Sequence, residues 1–307
     1  MSGLRAVCIL GPTGSGKTEG ALALAGAMPV AVINYDSRQV YRDFPIVTAQ
    51  PEAHEQDVCP HRLYGFVPTA EPMTAARFAE LARAEISKAT EEGRVPVLVG
   101  GTGLYVRALE RGLAEIPPIP PEVRAWVLER MGKEGPQALH ADLAKGDAVT
   151  AARLHPNDTQ RIARALEVLL GTGKPLSAWF EEQRQGDEGV ELCKVGISTT
   201  LRELEPRLKA RIGVMLQRGA LAEVRNAWEA CPDREAPGYS GIGCKELLAH
   251  ILGEATLEEA CDLWYRNTRA YAKRQLTWFA KEPEVRWLRV EGLARLPELV
   301  RAWWERT

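Results

Sequence analysis

A glycine-rich run near the start of the chain constrains the fold more than any other feature. Residues 6–10 (Ala-Val-Cys-Ile-Leu) have the composition of a buried strand, and residues 18–28 have the pattern of a helix. Between them lies a complete phosphate-binding loop, made of Gly11, Pro12, Thr13, Gly14, Ser15, Gly16, Lys17 and Thr18. Strand, loop and helix in this order predict a phosphate site.

The chemistry of such a loop follows from its residue types. Backbone N–H groups surround a di- or triphosphate, Lys17 supplies a positive charge, and the Thr18 hydroxyl is the usual ligand for Mg²⁺. The N-terminus of the following helix points at the same anion. The loop alone leaves open whether the phosphate is an energy source, a phosphoryl donor or a leaving group.

Strand-like and helix-like segments alternate over the first hundred residues. The predicted strands cover 6–10, 30–35, 62–67 and 95–99, and the predicted helices cover 18–28 and 73–92. This alternation is typical of a parallel sheet with helices on both faces. We therefore predict an α/β fold with a P-loop NTPase-like core.

The pattern changes after Gly112, where a proline-rich connector occupies 116–121. From 122 to about Arg184 the pattern is helical, without a strand signal. A strand is predicted again at 190–198 and a short one at 285–288, with helices at 201–218, 220–230, 244–252, 256–281 and 293–305. We therefore predict a core formed by 1–115 and 190–307, interrupted by an all-helical insertion subdomain at 116–189.

Composition excludes several classes of protein. The chain has 307 residues, of which 45% are hydrophobic and 26% charged, as is ordinary for a soluble globular protein. No apolar stretch approaches the roughly 20 residues of a membrane span, and the N-terminus lacks the build of a secretory signal, so we expect a cytoplasmic protein. The six cysteines and five histidines are scattered, without the spacing of a zinc or redox site.

The net charge of −2 argues against nonspecific coating of nucleic acid, but two segments are locally basic. These are 194–225 and 262–281, and the second interleaves basic residues with Trp264, Tyr265, Tyr271, Trp278 and Phe279. Basic and aromatic side chains on one helix can bind phosphates and stack on bases. The alternative is an amphipathic helix whose aromatic side chains face the core.

Two polar residues follow predicted strands at the edge where parallel sheets bind ligands. Asp36 follows the second strand, where it could hold Mg²⁺, accept a proton or simply cap a loop. Thr102 follows the fourth strand among Gly100, Gly101 and Gly103, where a hydroxyl could stabilise an oxyanion. This strand lacks the terminal aspartate of a Walker B motif, which argues against an ATPase or GTPase motor.

A third polar group opens a helix of the predicted insertion. Gln160, Arg161 and Arg164 lie in its first turns. Gln160 and Arg164 are four residues apart and therefore share a face of the helix. Such a face is either solvated or a binding surface.

Five stretches together resemble the tRNA dimethylallyltransferase (isopentenyl-tRNA transferase) family. They are GPTGSGKT at 11–18, DSRQVYR at 36–42, GGTGLYVRAL at 100–109, RLHPNDTQRIARALEV at 153–168 and TRAYAKRQLTWF at 268–279. The resemblance implies transfer of a dimethylallyl group from dimethylallyl diphosphate to N6 of the adenosine 3′ of the anticodon, tRNA position 37, with Mg²⁺. It also implies that the target base is flipped out of the stack.

Roles for individual residues are implied by the same resemblance. Asp36 corresponds to the general base, Thr102 to the hydroxyl that steadies the departing diphosphate, and Arg211 to the arginine that neutralises it. The phosphate loop would hold the diphosphate, with Mg²⁺ on Thr18. The positions implied to contact the tRNA anticodon stem-loop are Asp36, Ser37, Arg38, Gln39, Thr102, Arg124, Gln160, Arg161, Ile162, Ala163, Arg164, Lys273, Arg274, Gln275 and Trp278. With a single tRNA partner, a monomer is sufficient.

The chain departs from the family pattern at two places. Cys244 occupies a position where the family usually has tyrosine, so any aromatic contact there is lost or made by another residue such as Tyr239. Residues 43–47 replace the usual continuation after Arg42. Neither departure touches the implied catalytic residues.

Two other functions are compatible with parts of the pattern. A small-molecule kinase would use the same loop to bind ATP and Asp36 to deprotonate a hydroxyl, but it leaves 153–168 and 268–279 without a purpose. A non-catalytic RNA-binding module could use a nucleotide as a switch.

Overall fold

The computed structural model describes residues 3–183 and 189–306. The chain divides into two compact units, Met1–Glu110 with Gly189–Thr307, here called the sheet unit, and Arg111–Glu188, the helical unit. These boundaries lie near the ones expected from sequence at 115/116 and 189/190. Arg184, the expected end of the helical run, lies outside the described residues. Within the described ranges, no helix is both long and apolar enough to cross a membrane.

Six parallel strands form one sheet, which confirms the predicted fold class. They are β1 (Arg5–Leu10), β2 (Val30–Asn34), β3 (His61–Arg62), β4 (Val95–Val99), β5 (Glu191–Ile197) and β6 (Arg286–Leu288). Their order is β3-β2-β4-β1-β5-β6, and every neighbouring pair is parallel. The carboxyl ends of β1, β2 and β4 therefore lie side by side, where open parallel sheets bind ligands.

The predicted strand at 62–67 is wrong beyond its first residue. Leu63 and Gly65 have φ of +62° and +55°, in the left-handed region, so extended backbone ends at Arg62. Val67 makes only an isolated parallel bridge to Tyr41. The apolar residues of 62–67 therefore belong to a partly buried loop and not to a hydrogen-bonded strand.

Thirteen helices lie in the part of the chain that the structure describes. In chain order they are α1 (Lys17–Ala25), α2 (Ala53–Gln56), α3 (Ala75–Glu91), α4 (Gly103–Arg111), α5 (Pro121–Gly146), α6 (Ala148–Ala151), α7 (Thr159–Thr172), α8 (Leu176–Gln183), α9 (Leu201–Gln217), α10 (Ala220–Ala230), α11 (Cys244–Ile251), α12 (Leu257–Phe279) and α13 (Leu296–Trp304). Short 3₁₀ helices cover Pro237–Ser240 and Val290–Arg295. A kink at Gly135 and Pro136 divides α5.

The sheet is buried on both faces because successive side chains of a strand point to opposite sides. Val7 and Ile9 of β1 join a core with α1 and α13, whereas Cys8 and Leu10 join a second core with α3 and α4. Burial of each such side chain contributes about 1.5–3 kcal/mol. Packing on both faces thus fixes β1 in the interior of the sheet. It thereby also fixes the start of the loop that follows β1.

A third core joins the C-terminal helices of the sheet unit to the chain after β2. Phe44 packs edge-to-face on Tyr239, with ring centroids 5.5 Å apart. Glu223 of α10 accepts hydrogen bonds from the backbone N–H groups of Ile46 and Val47 at 2.6 and 2.8 Å. The segment after β2 is therefore held by helices far along the chain.

The helical unit has a core of its own. Side chains from the two halves of α5 pack against α7, among them Val127, Leu143 and Ile162. Asp147 links α6 to α8, because its carboxylate accepts hydrogen bonds from the N–H groups of Thr150 and Ser177, both at 3.0 Å.

A buried ion pair offers a test of the sheet unit's packing. Lys194 of β5 is 3% exposed, with Nζ 2.5 Å from Glu110 Oε1 and 3.8 Å from Glu282 Oε2. Lys194→Ala removes the buried ammonium that the Glu110 and Glu282 carboxylates face, so it should lower the free energy of unfolding by about 3 kcal/mol or more in urea titrations. Arg234→Ala, which breaks an exposed pair with Glu254, should lower it far less. Similar small losses for both variants would contradict this.

Candidate active site

The phosphate loop turns tightly around the end of β1. Gly14 and Gly16 have φ of +77° and +93°, which favours glycine. The Lys17 ammonium donates to the Gly11 and Pro12 carbonyls at 2.9 and 2.8 Å. The Ser15 side chain is fully buried, and its hydroxyl has no hydrogen-bond partner among the described residues. A buried hydroxyl without a protein partner in a phosphate loop fits a bound anion.

Asp36 is oriented by the residues on either side of it. The buried Asn34 accepts from the Asp36 N–H at 2.7 Å and donates to the Asp36 and Leu63 carbonyls at 3.1 and 2.9 Å. One carboxylate oxygen of Asp36 accepts from the Arg38 N–H at 2.9 Å. The aspartate therefore has a fixed direction at the end of β2.

Thr102 lies against the same loop. Its hydroxyl oxygen accepts from the Ser37 N–H at 3.0 Å and lies 3.3 Å from the Ser37 hydroxyl. A Cβ added at Gly100 would come within 2.5 Å of the Tyr35 carbonyl carbon and 2.6 Å of the Asp36 nitrogen. Glycine at the end of β4 is what allows the two loops to touch. The structure thus brings together two residues that the sequence placed on separate strand ends.

A cavity of about 330 Å³ adjoins these loops. The predicted residues that line it include Lys17, Asp36, Gln39 and Arg211. All of these belong to the sheet unit.

The opposite wall of the cavity was not predicted. It is made of Thr48, Ala49, Gln50, Pro51, Glu52, Glu55, Tyr64 and Arg218. Gln39 holds this wall by donating to the Thr48 and Ala49 carbonyls at 3.0 and 2.5 Å, and Arg218 forms an ion pair with Glu52. Only Arg218 had a sequence signal, since it lies in the basic segment 194–225.

Two cations of the cavity, Lys17 and Arg211, lie close enough to the Asp36 carboxylate to interact with it. Burial lowers the pKa of the Lys17 ammonium to about 8, while Asp36 opposes and Arg211 reinforces this shift. Burial also lowers the pKa of Arg211, and Asp36 opposes that change. Desolvated cations interact strongly with an incoming anion because little water screens them. The arrangement can hold a diphosphate, stabilise a leaving oxyanion and accept a proton at Asp36.

A magnesium ion fits this donor set. The Thr18 side chain is exposed and lines the same cavity as Glu19 and Asp36. Mg²⁺ is commonly held by one or two protein oxygens together with substrate phosphates and water, so it needs no cage of acidic residues. The described ranges contain no group of three or more His, Cys, Asp or Glu side chains that could form such a cage.

Helix α12 presents different residues to the site and to solvent. Lys273 and Arg274 are exposed, whereas Trp264 and Phe279 are buried in the core. The aromatic side chains Trp264 and Phe279 therefore face the core, as expected of an amphipathic helix. Lys273 and Arg274 are exposed on its other side, where they can contact a ligand.

Two further residues of α12 pack on the glycine run after β4. Gln275 is 4% exposed and lines the cavity, and its amide bonds within the protein. Its implied contact with tRNA stays a prediction. A Cβ added at Gly103 would lie 2.0 Å from Trp278 Nε1, and the Arg107 guanidinium lies 4.7 Å from the centroid of the same ring. The lack of a side chain at Gly101 and Gly103 thus makes room for Gln275 and Trp278.

Two residues of the predicted tRNA-contact set lie in the core of the helical unit. Ile162 and Ala163 are 0% and 7% exposed and belong to the core of this unit, so their side chains pack inside it. The exposed residues of the predicted set there are Arg124, Gln160, Arg161 and Arg164. The family resemblance implied the whole interval 160–164, which includes both faces of α7.

The position with cysteine in place of the usual tyrosine is also buried. Cys244 begins α11 and is fully buried, and burial raises the pKa of its thiol. Tyr239, considered as a substitute, is 1% exposed and donates to the Cys231 carbonyl at 3.0 Å, so it cannot supply an aromatic surface. Arg38, another residue of the predicted tRNA-contact set, also bonds within the protein, because its guanidinium donates to the Ser240 hydroxyl at 2.5 Å.

Comparisons with known proteins point in one direction. Residues 39–282 match the family model described as IPP transferase. The chain is 54% identical over 281 residues to the tRNA dimethylallyltransferase of Maridesulfovibrio salexigens, covering 92% of this chain and 91% of that protein. It is 52% identical over 294 residues to that of Oleidesulfovibrio alaskensis, covering 96% of each.

Solved structures agree with the sequence matches. A tRNA isopentenylpyrophosphate transferase from Bacillus halodurans superimposes with a TM-score of 0.71 at 34% identity, covering 97% of this chain and 96% of that one. A eukaryotic dimethylallyltransferase acting on tRNA gives a TM-score of 0.76 at 29% identity, covering 93% and 73%.

The lowered pKa of Lys17 predicts how anion binding depends on pH. Affinity for inorganic diphosphate should fall as pH rises through about 8, because the ammonium then loses its proton. Calorimetric titration from pH 7 to 9.5 measures this, and Lys17→Arg is the control because arginine stays charged throughout. The difference between the two proteins isolates Lys17 from the ionisation of diphosphate itself. Parallel pH profiles would contradict the assignment.

Proposed function

This chain belongs to the tRNA dimethylallyltransferase family, and from that premise we propose that it transfers a dimethylallyl group from dimethylallyl diphosphate to N6 of adenosine 37 of tRNA. One observation carries the proposal. The phosphate loop, Asp36 and Arg211 face a single cavity, and Thr102 contacts the loop that bears Asp36. A donor diphosphate and an acceptor amine can therefore meet there.

The reaction follows from these positions. The N6 nitrogen attacks C1 of the dimethylallyl group, the C1–O bond breaks, and its electron pair leaves with the diphosphate. Asp36 accepts the proton that N6 loses. Lys17, Arg211 and the loop N–H groups stabilise charge that grows on the departing oxygen, and the Thr102 hydroxyl donates to the same group. Mg²⁺, held at Thr18, would neutralise part of that charge.

The absence of a Walker B aspartate is consistent with this chemistry. A motor protein must position and activate water, whereas here the nucleophile is the substrate amine and the diphosphate only leaves.

Several exposed residues would hold the tRNA. Lys273 and Arg274 lie on α12 in the sheet unit, and Arg124, Arg161 and Arg164 lie in the helical unit. Lysine and arginine bind RNA phosphates, and the target base must leave its stack to reach the cavity. A single tRNA partner makes a monomer sufficient, and the tRNA substrate supports action in the cytoplasm.

A transfer assay tests the function directly. The protein, Mg²⁺ and labelled dimethylallyl diphosphate are incubated with unmodified tRNA, and label should appear in tRNA at adenosine 37. A tRNA carrying guanosine at that position is the control and should remain unlabelled. ATP-dependent phosphorylation of a metabolite without labelling of tRNA would instead support a kinase.

Substitution of the two site residues should separate chemistry from binding. Asp36→Ala and Thr102→Ala should each lower turnover by about 10²–10³, because each removes a group that acts in the transition state. Binding of tRNA, measured by filter retention, should change little. Equal losses in turnover and tRNA affinity would show that these residues only bind the substrate.

A further inference from the structure

We infer that Gln275 is a positioning residue that fixes the separation between the diphosphate loop and the acceptor loop. The inference rests on the proposed function. Gln275 lies on α12, is 4% exposed, and reaches both loops with one side-chain amide. Its Oε1 accepts from the Thr13 N–H at 2.9 Å, and its Nε2 donates to the Gly101 carbonyl at 2.9 Å.

The two loops reached by Gln275 have different tasks. Thr13 belongs to the loop that would hold the leaving group, whereas Gly101 directly precedes Thr102 and packs against the Asp36 carboxylate. A displacement of about 1 Å between reacting groups can cost 10²-fold in rate. A bridge between these loops therefore controls the approach of N6 to the reacting carbon.

The amide is chemically suited to the two contacts. It offers an acceptor to the Thr13 N–H and a donor to the Gly101 carbonyl, whereas ionised glutamate offers acceptors alone. A Cβ added at Gly101 would lie 2.2 Å from Gln275 Nε2, so the glycine makes room for the amide. Tyr271 of the same helix also donates to the Gly101 carbonyl, at 3.3 Å.

The same helix turn carries the exposed basic residues. Lys273 and Arg274 immediately precede Gln275 but face solvent. One helix thus presents its outer face to RNA phosphates and its inner face to the catalytic loops. Gln275 is distinguished from its neighbours because it acts through the loops rather than on the RNA.

Gln275→Glu tests this with a pH signature. At pH 8 its kcat in the transfer assay should fall by about 10², with the Kd for tRNA and the KM for dimethylallyl diphosphate within about threefold of wild type. At pH 6 the buried glutamate gains a proton and regains a donor, so the ratio of variant to wild-type kcat should rise at least fivefold. Lys17, Asp36 and Arg211 line the same cavity as Gln275, and Tyr271 bonds the same Gly101 carbonyl. All four are unchanged in the variant, so the ratio removes the effects of pH that the two proteins share. Gln56→Glu, an exposed position, is the control and should show no such rise.

A double-mutant cycle keeps the inference testable if Gln275→Glu folds poorly. Gly101→Ala displaces the amide and should lower kcat about as much as Gln275→Ala, and the double variant should be no worse than either. Additive losses, or losses in tRNA affinity with unchanged kcat, would overturn the inference. Transfer by the wild-type protein is measured in parallel, so failure of the proposed function is seen separately from failure of the role of Gln275.

Discussion

The site depends on one constraint, the contact between the ends of two neighbouring parallel strands beside the phosphate loop. Gly100 allows the backbone of β4 to touch that of Tyr35 and Asp36, where any side chain would collide. Thr102 then accepts a hydrogen bond from the loop that bears Asp36. Because β1 lies next to β4 in the sheet, the diphosphate loop occupies the adjoining place. Strand order thus sets where the proposed base, the proposed hydroxyl donor and the proposed leaving-group site lie.

Helices from the C-terminal part of the chain complete the site. Arg211 of α9 faces the cavity, Glu223 of α10 holds the segment after β2, and Gln275 of α12 bridges two catalytic loops. The phosphate loop supplies a general anion cradle, and in the proposed reaction these helices add groups around the departing diphosphate. The Asp36 carboxylate itself is oriented locally, by Asn34 and Arg38.

Local sequence patterns predicted some features of the fold and the site but missed others. The parallel sheet, the phosphate loop and the strand-end placement of Asp36 and Thr102 follow from short motifs and periodicity. The second wall of the cavity does not, because it is held by contacts such as that of Ile46 with Glu223, which is 177 residues away in sequence. Burial of Gln275 was missed for the same reason, since a helix face is assigned only by its partners. The strand expected at 62–67 failed because the backbone of Leu63 is left-handed.

A structure of the protein with an anticodon stem-loop and a non-reactive thio-analogue of dimethylallyl diphosphate tests the central claim most directly. The diphosphate should lie in the loop 11–18, with N6 of adenosine 37 within about 2.6–3.2 Å of an Asp36 carboxylate oxygen. The same N6 should point at C1 of the dimethylallyl group. A diphosphate bound away from the loop, or an adenosine whose N6 contacts another residue in place of Asp36, would contradict the proposed mechanism.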